Sequence, residues 1–130
     1  MIVVDTSALL EVLLNTRGSA RVAERLFAPN ETLHAPHLLD VEIAQVLRRY
    51  ARAGELDPAR GRQALDDLAD LPLFRYPHDL FLLRIWELRS NVTAYDAAYI
   101  ALAEALAAPL VTRDKRLASA PGHRARVVVV

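Results

Sequence analysis

The apolar positions of this chain alternate between short solid runs and stretches with a helical repeat. Ile2 to Val4 is a run of β-formers that predicts a buried strand. Asp5, Thr6 and Ser7 follow, each a good N-cap type, and Ala8 to Leu14 continues as helix until Asn15 to Gly18 break it. Ser19 to Phe27 reads as a second helix with Arg21 and Arg25 on its exposed side. Pro29-Asn30 is a turn, and Thr32 to Ala35 a short strand stopped by Pro36. Leu38 to Ala53 is amphipathic, with Gln45, Arg48, Arg49 and Arg52 as its polar stripe and Gly54 as its stop. Asp57-Pro58 pairs an N-cap with proline at the first helical position, which starts a helix running to Asp70. Leu73 to Tyr76 reads as a strand between Pro72 and Pro77. Asp79 to Ser90 reads as a helix carrying the only tryptophan, Trp86, and Tyr95 to Ala107 as an alanine-rich helix. Leu110 to Thr112 is a strand, Lys115 to Ala118 a helical turn, and Val127 to Val130 a closing strand. Strands alternating with helices imply an α/β fold with a central, mostly parallel sheet covered on both faces. No repeat, low-complexity segment or linker interrupts it, so residues 1–130 read as a single domain.

Composition narrows the classes. With 53% hydrophobic residues in 130, the chain can fill a real core. Mean hydropathy is +0.14, but polar residues interrupt every apolar run, so none is long enough to span a bilayer. The opening MIVVDTS lacks a basic n-region, which argues against a secretory signal. Cysteine is absent, which removes disulfides and thiolate metal sites and fits a cytoplasmic protein. Sixteen basic residues balance 16 acidic ones, so charge alone cannot hold nucleic acid; binding of that kind must be local, with divalent ions supplying positive charge. All the basic residues but Lys115 are arginine, which suits bidentate phosphate or carboxylate contacts, although a GC-rich genome produces the same bias.

Candidate chemistry lies in four acidic residues. In open α/β sheets, sites form beyond the carboxyl ends of the strands, and Asp5 and Asp114 each follow a predicted strand end. Asp5 could equally cap the next helix; if Thr6 or Ser7 caps instead, Asp5 is free to bind an ion. Glu42 shares a helical face with Leu38, Leu39, Ile43 and Val46, where a charge must be paired or hold a cation; an ion pair with an arginine is the alternative. Asp40 lies earlier in that helix, where it offsets the dipole. Thr93-Ala94-Tyr95-Asp96 has the form of a capping box, yet a first-turn carboxylate also points to the rim where a site would form. Asp114 could be a turn residue. Strand-end placement, apolar setting and neighbouring hydroxyls together favour convergence. Crowded carboxylates repel unless a proton or a hard cation sits between them, so the reading is a Mg²⁺ or Mn²⁺ site and phosphodiester chemistry. Other signals are weaker. His34, His37, His78 and His123 lack metal-ligand spacing, the four glycines form no phosphate-binding loop, and Ser7 has no nucleophile-elbow context. Asp57, Asp66, Asp67 and Asp70 read as caps and a solvated helix face.

The stretches DTSALLEVL, LLDVEIAQVLRR, NVTAYDAAYIALAEAL and PLVTRDKRLA resemble a PIN-domain ribonuclease, and within that family the VapC-type toxin of toxin–antitoxin modules. The resemblance covers nearly the whole chain, and YDAAYIALAE followed by LVTRD carries most of it. It implies a three-layer α/β/α fold and makes Asp5, Glu42, Asp96 and Asp114 the acidic Mg²⁺- or Mn²⁺-binding site. Thr112 would help hold that site, with Thr6 or Ser7 beside Asp5. It also implies RNA cleavage that stops translation, a homodimer, and a VapB-type antitoxin whose tail fills the groove. The expected reaction is metal-assisted hydrolysis leaving 5′-phosphate and 3′-hydroxyl ends. Arg48, Arg49, Arg52, Arg113, Lys115 and Arg116 are candidate contacts to the RNA backbone, and single-stranded loops the expected targets.

Four other readings compete. Histidine acid–base cleavage of RNA would need no metal. A receiver-like regulatory domain also has an acidic Mg²⁺ pocket, but it wants adjacent acids after the first strand and a phospho-accepting aspartate after a middle one. The segments after Ala35 and Tyr76 lack the latter. A dehalogenase-type phosphatase wants a second aspartate where Ser7 stands. A PIN-like module that binds RNA or protein without catalysis would tolerate loss of Asp96.

Overall fold

Five short strands form one sheet in a computed structural model covering residues 1–130: β1 (Ile2–Val4), β2 (Leu33–Pro36), β3 (Leu73–Tyr76), β4 (Leu110–Thr112) and β5 (Val127–Val129). Their order is β3-β2-β1-β4-β5, and every pairing is parallel. The chain builds outward from β1 to β3, then returns to the other side of β1 with β4. The reversal therefore falls between β1 and β4, and the crevice beyond their carboxyl ends is where α/β sheets place their sites. Register fixes what meets there. Val4 pairs with Val111, so Asp5 and Thr112 leave the sheet side by side.

The helices are α1 (Thr6–Leu13), α2 (Ser19–Leu26), α3 (Leu38–Arg52), α4 (Pro58–Asp70), α5 (Leu82–Glu87), α6 (Ala94–Leu106) and α7 (Lys115–Ser119). They cover both sheet faces and complete a three-layer α/β/α architecture. α6 packs across β1, β2 and β4 with α5 against it, while α1 packs on β4 and joins α2, α3 and α4 in the other layer. Residues Ala97 to Ala103 of α6 are all buried, as expected of a helix that is apolar on every side. Ile2, Val3, Val4, Leu110 and Val111 are completely buried, which explains why the central strands read as solid apolar runs.

Three details differ from the sequence reading. α1 starts at Thr6 rather than Ala8, because the Asp5 side chain accepts from the Ala8 amide and caps the helix itself. The predicted helix over residues 79–90 divides into a 3₁₀ turn, His78–Phe81, and the short α5. Phe81, at φ −110° and ψ 4°, leaves the helical basin between them. Only Phe81, Ile85 and Leu88 of this segment pack against the core, so little holds a longer helix in place. Arg25 is half-buried rather than exposed, because it turns to pair with Glu31 at 3.3 Å.

Candidate active site

Asp5 sits at the reversal point with only 8% of its surface exposed. Its Oδ1 accepts from Ser7 Oγ at 2.7 Å and from the Ala8 amide at 3.0 Å, and its Oδ2 accepts from Thr112 Oγ1 at 2.5 Å. Capping and site-building are therefore one arrangement, since one oxygen caps α1 and the other is held by β4. Thr112 is fully buried and also accepts the Asp114 amide at 2.9 Å, so a single hydroxyl ties the two aspartates together. Ser7 Oγ accepts from the Arg113 amide at 2.9 Å, which closes the loop between α1 and β4. Burial pushes the Asp5 carboxyl above the usual carboxylate range; the three donors oppose the shift and the Asp96 charge adds to it.

Glu42 reaches the same place from α3. Its Oε1 accepts from Tyr99 OH at 2.6 Å and from Thr6 Oγ1 at 3.2 Å, and the two hydroxyls are 3.1 Å apart. No arginine lies within ion-pair distance, so the alternative of a core ion pair does not apply. Burial raises its proton affinity, with further contributions from the charges of Asp96 and Asp5. Asp96 is placed by a half-made capping box: Thr93 Oγ1 accepts its amide at 3.1 Å, and its carboxylate turns to the cleft. Burial and the neighbouring Asp114 charge raise its proton affinity as well. Asp114 differs. It caps α7 through the Arg116 amide at 2.9 Å, and its oxygens take the Arg116 guanidinium at 3.2 Å each, which holds its carboxyl below the usual range.

All four carboxylates line one cleft of about 420 Å³ between α1, α3, α6 and the end of β4. Three of them, Asp5, Glu42 and Asp96, have no cationic partner, and each is driven toward a neutral form. That donor set fits a hard divalent cation, which prefers carboxylate oxygen and neutralises crowded anions. No three acidic or histidine side chains stand as a closed metal cage.

Of the basic candidates, Arg49 and Arg113 line the cleft, and Arg113 pairs with Glu11 at 3.5 Å. Arg116 lines an adjoining recess with Arg89. Arg48, Arg52 and Lys115 are exposed outside both linings. Asp40 is held by Arg75 at 2.7 and 3.0 Å and is structural. Two site residues escaped the sequence reading, Tyr99 and Glu11. Tyr99 was detectable as the one polar-tipped side chain in the buried alanine-rich face, one helical turn after Asp96. Glu11 carries no such signal.

Residues 2–122 match the family model described as PIN domain. The chain belongs to the PIN-domain family. It is similar over its whole length to Ribonuclease VapC9 of Mycobacterium tuberculosis, at 50% identity over 130 residues, covering 100% of this chain and 98% of that protein. Among solved structures it resembles PAE2754 from Pyrobaculum aerophilum, at 26% identity and a TM-score of 0.70, covering 97% of this chain and 81% of that one. It shares its fold with VapBC2 from Rickettsia felis, a structure bound to a DNA fragment from their promoter, at 17% identity and a TM-score of 0.71, with 98% of each chain covered. Within the PIN-domain family the chain is VapC-type, as the resemblance implied.

Proposed function

We propose that this PIN-domain chain is a divalent-metal-dependent endoribonuclease, the toxin of a type II toxin–antitoxin pair, and that it acts in the cytoplasm to stop translation. The observation that carries the reading is the cleft itself. Asp5, Glu42 and Asp96 line it without a cationic partner, the Asp5 and Glu42 carboxylates held by hydroxyl donors and Asp96 placed by its own amide donating to Thr93. Together with Asp114 they are the residues to hold Mg²⁺ or Mn²⁺. A bound ion would supply Lewis acidity and activate water for attack on a phosphodiester. The chain's own part is positioning. Thr112 and Ser7 fix the Asp5 carboxylate, while Tyr99 and Thr6 fix Glu42. Arg49 and Arg113 at the rim offer cationic contacts to the RNA backbone, with Arg116 beyond Asp114 and Arg48, Arg52 and Lys115 further out. Products carry 5′-phosphate and 3′-hydroxyl ends.

Histidine catalysis has no geometric support. No histidine lines the cleft, and His34 is buried between Thr32 and Tyr76, with 2.7 Å hydrogen bonds to each. We further propose a homodimer and a VapB-type antitoxin whose tail occupies this cleft. No helix is long and apolar enough to cross a membrane, which is compatible with the proposed location. The test is RNA cleavage by the parent, Asp5→Asn and Asp96→Asn, with Mg²⁺ or Mn²⁺ and with EDTA. Cleavage by the parent alone, lost in chelator and leaving 5′-phosphates, is expected. Parent-like activity in either variant, or cyclic phosphate ends, overturns the proposal.

A further inference from the structure

Beside the acidic cleft lies a second recess of about 380 Å³, lined by Thr6, Val41, Glu42, Gln45, Arg49 and Tyr95 among others. It shares Thr6, Glu42 and Arg49 with the cleft, so the two are one continuous surface. Its apolar wall is unusual. Val41 is 72% exposed and Tyr95 is 65% exposed, among the highest values for large apolar side chains in the molecule. Each immediately precedes a cleft carboxylate, Val41 before Glu42 on α3 and Tyr95 before Asp96 on α6. One residue is about 100° of helical turn, so both helices that aim an acid into the cleft also set an apolar side chain on the adjoining wall. Folding gives no reason for this, because neither side chain belongs to the core.

We propose that Tyr95 and Val41 form a nucleobase subsite, which holds one unpaired base of the RNA beside the phosphate to be cut; this rests on the ribonuclease reading above. Aromatic faces stack on single-stranded bases whatever their identity. The Gln45 amide carries both a donor and an acceptor and can address a base edge. Arg49, shared between recess and cleft, is placed for the connecting phosphate. The chain also needs such a contact. Its formal net charge is zero and its cleft is acidic, so backbone attraction alone gives little affinity. Stacking supplies affinity that charge does not.

The experiment separates the subsite from the chemistry. Fluorescence anisotropy, in Ca²⁺ to limit turnover, would measure binding of homo-oligomers of each base and of an abasic oligomer of equal length. The proteins are the parent, Tyr95→Ala, Tyr95→Phe and Val41→Ser, with circular dichroism as a check on folding. The parent should bind at least one base oligomer about tenfold more tightly than the abasic one. Tyr95→Ala should lose that preference and bind the abasic oligomer as the parent does. Tyr95→Phe should keep the preference, and Val41→Ser should weaken it. Equal binding of base and abasic oligomers by the parent, or an unchanged preference in Tyr95→Ala, overturns the subsite whether or not the protein cleaves RNA. A Tyr95-dependent preference without cleavage by the parent in Mg²⁺ would instead sink the nuclease reading and leave the subsite standing.

Discussion

Replacing Thr112 by valine tests how the site is held. The exchange nearly keeps the side chain's shape and removes one hydroxyl, which donates to Asp5 Oδ2 at 2.5 Å and accepts the Asp114 amide at 2.9 Å. Thr112 is fully buried and Asp5 is 8% exposed, so water has little access to replace either bond. A hydrogen bond to a charged group contributes about 1.5–3 kcal/mol and a neutral one about 0.5–1.5 kcal/mol, so the expected loss at neutral pH is about 2–4 kcal/mol. For a chain of this length each kcal/mol moves the melting temperature by about 3–5 °C, giving a fall on the order of 10 °C. Thr112→Ser keeps both bonds and loses a methyl group, at about 1 kcal/mol. The pH dependence carries its own sign. Burial already raises the Asp5 proton affinity in the fold, and loss of the Thr112 donor raises it further. A carboxylate with a raised folded pKa costs stability while charged, and that cost is relieved as pH falls through the folded value toward the ordinary 3.8. The valine deficit must therefore be largest at neutral pH and shrink on acidification. Urea unfolding of parent, valine and serine variants across that range is the assay. A valine variant as stable as the parent, or a deficit that grows toward acid, would refute the reasoning.

Tyr99→Phe removes the 2.6 Å hydroxyl that orients Glu42 and leaves it only Thr6; metal affinity or cleavage should fall by about 10–100-fold, read by metal titration and initial rates, and full activity would refute the positioning role. Asp96→Asn should be more stable than the parent in metal-free solution at neutral pH, because burial and Asp114 make its charge costly. The gap should close as pH falls toward 3.8, and saturating Mg²⁺ or Mn²⁺ should reverse it by stabilising the parent, about 1.4 kcal/mol at tenfold above Kd. A gap that widens on acidification, followed by thermal melts, would contradict the assignment.

Asp5 and Asp114 were legible in the sequence because each lies just past a short strand, Ile2–Val4 and Leu110–Thr112, and sheet topology sends strand ends to one rim. Glu42 was legible for a different reason, as a charge on an apolar helical face. Other features were not readable because they depend on contacts distant in sequence. Capping and site-building looked like competing roles for Asp5, yet its two oxygens serve both, and only the β1–β4 register reveals that. Tyr99 reads as core in an alanine-rich run, since nothing local indicates that its hydroxyl meets Glu42, 57 positions away. The division of residues 79–90 was hidden by an apolar pattern that continues through it: Leu80, Leu82, Leu83 and Trp86 look like core positions but are exposed. The pairing of Arg75 with Asp40, which fixes Asp40 as structural, likewise joins residues 35 apart.

The four carboxylates are not equivalent, and the difference bears on how a cation would enter. Asp5 and Glu42 are oriented by neutral donors alone, through Ser7, Thr112 and the Ala8 amide on one side and Tyr99 and Thr6 on the other. Neutral donors hold a carboxylate in position without cancelling its charge, and burial raises the proton affinity of both against those donors. Asp114 alone already has a cation, from an Arg116 side chain that is 91% exposed. Exposed pairs of this kind are weak and screened by salt, so Arg116 can release Asp114 at little cost. Asp5, Glu42 and Asp96 would offer a divalent ion oxygens that no cation claims, whereas Asp114 would have to give up Arg116 to join them, and the released guanidinium would then be available to a phosphate at the edge of the cleft.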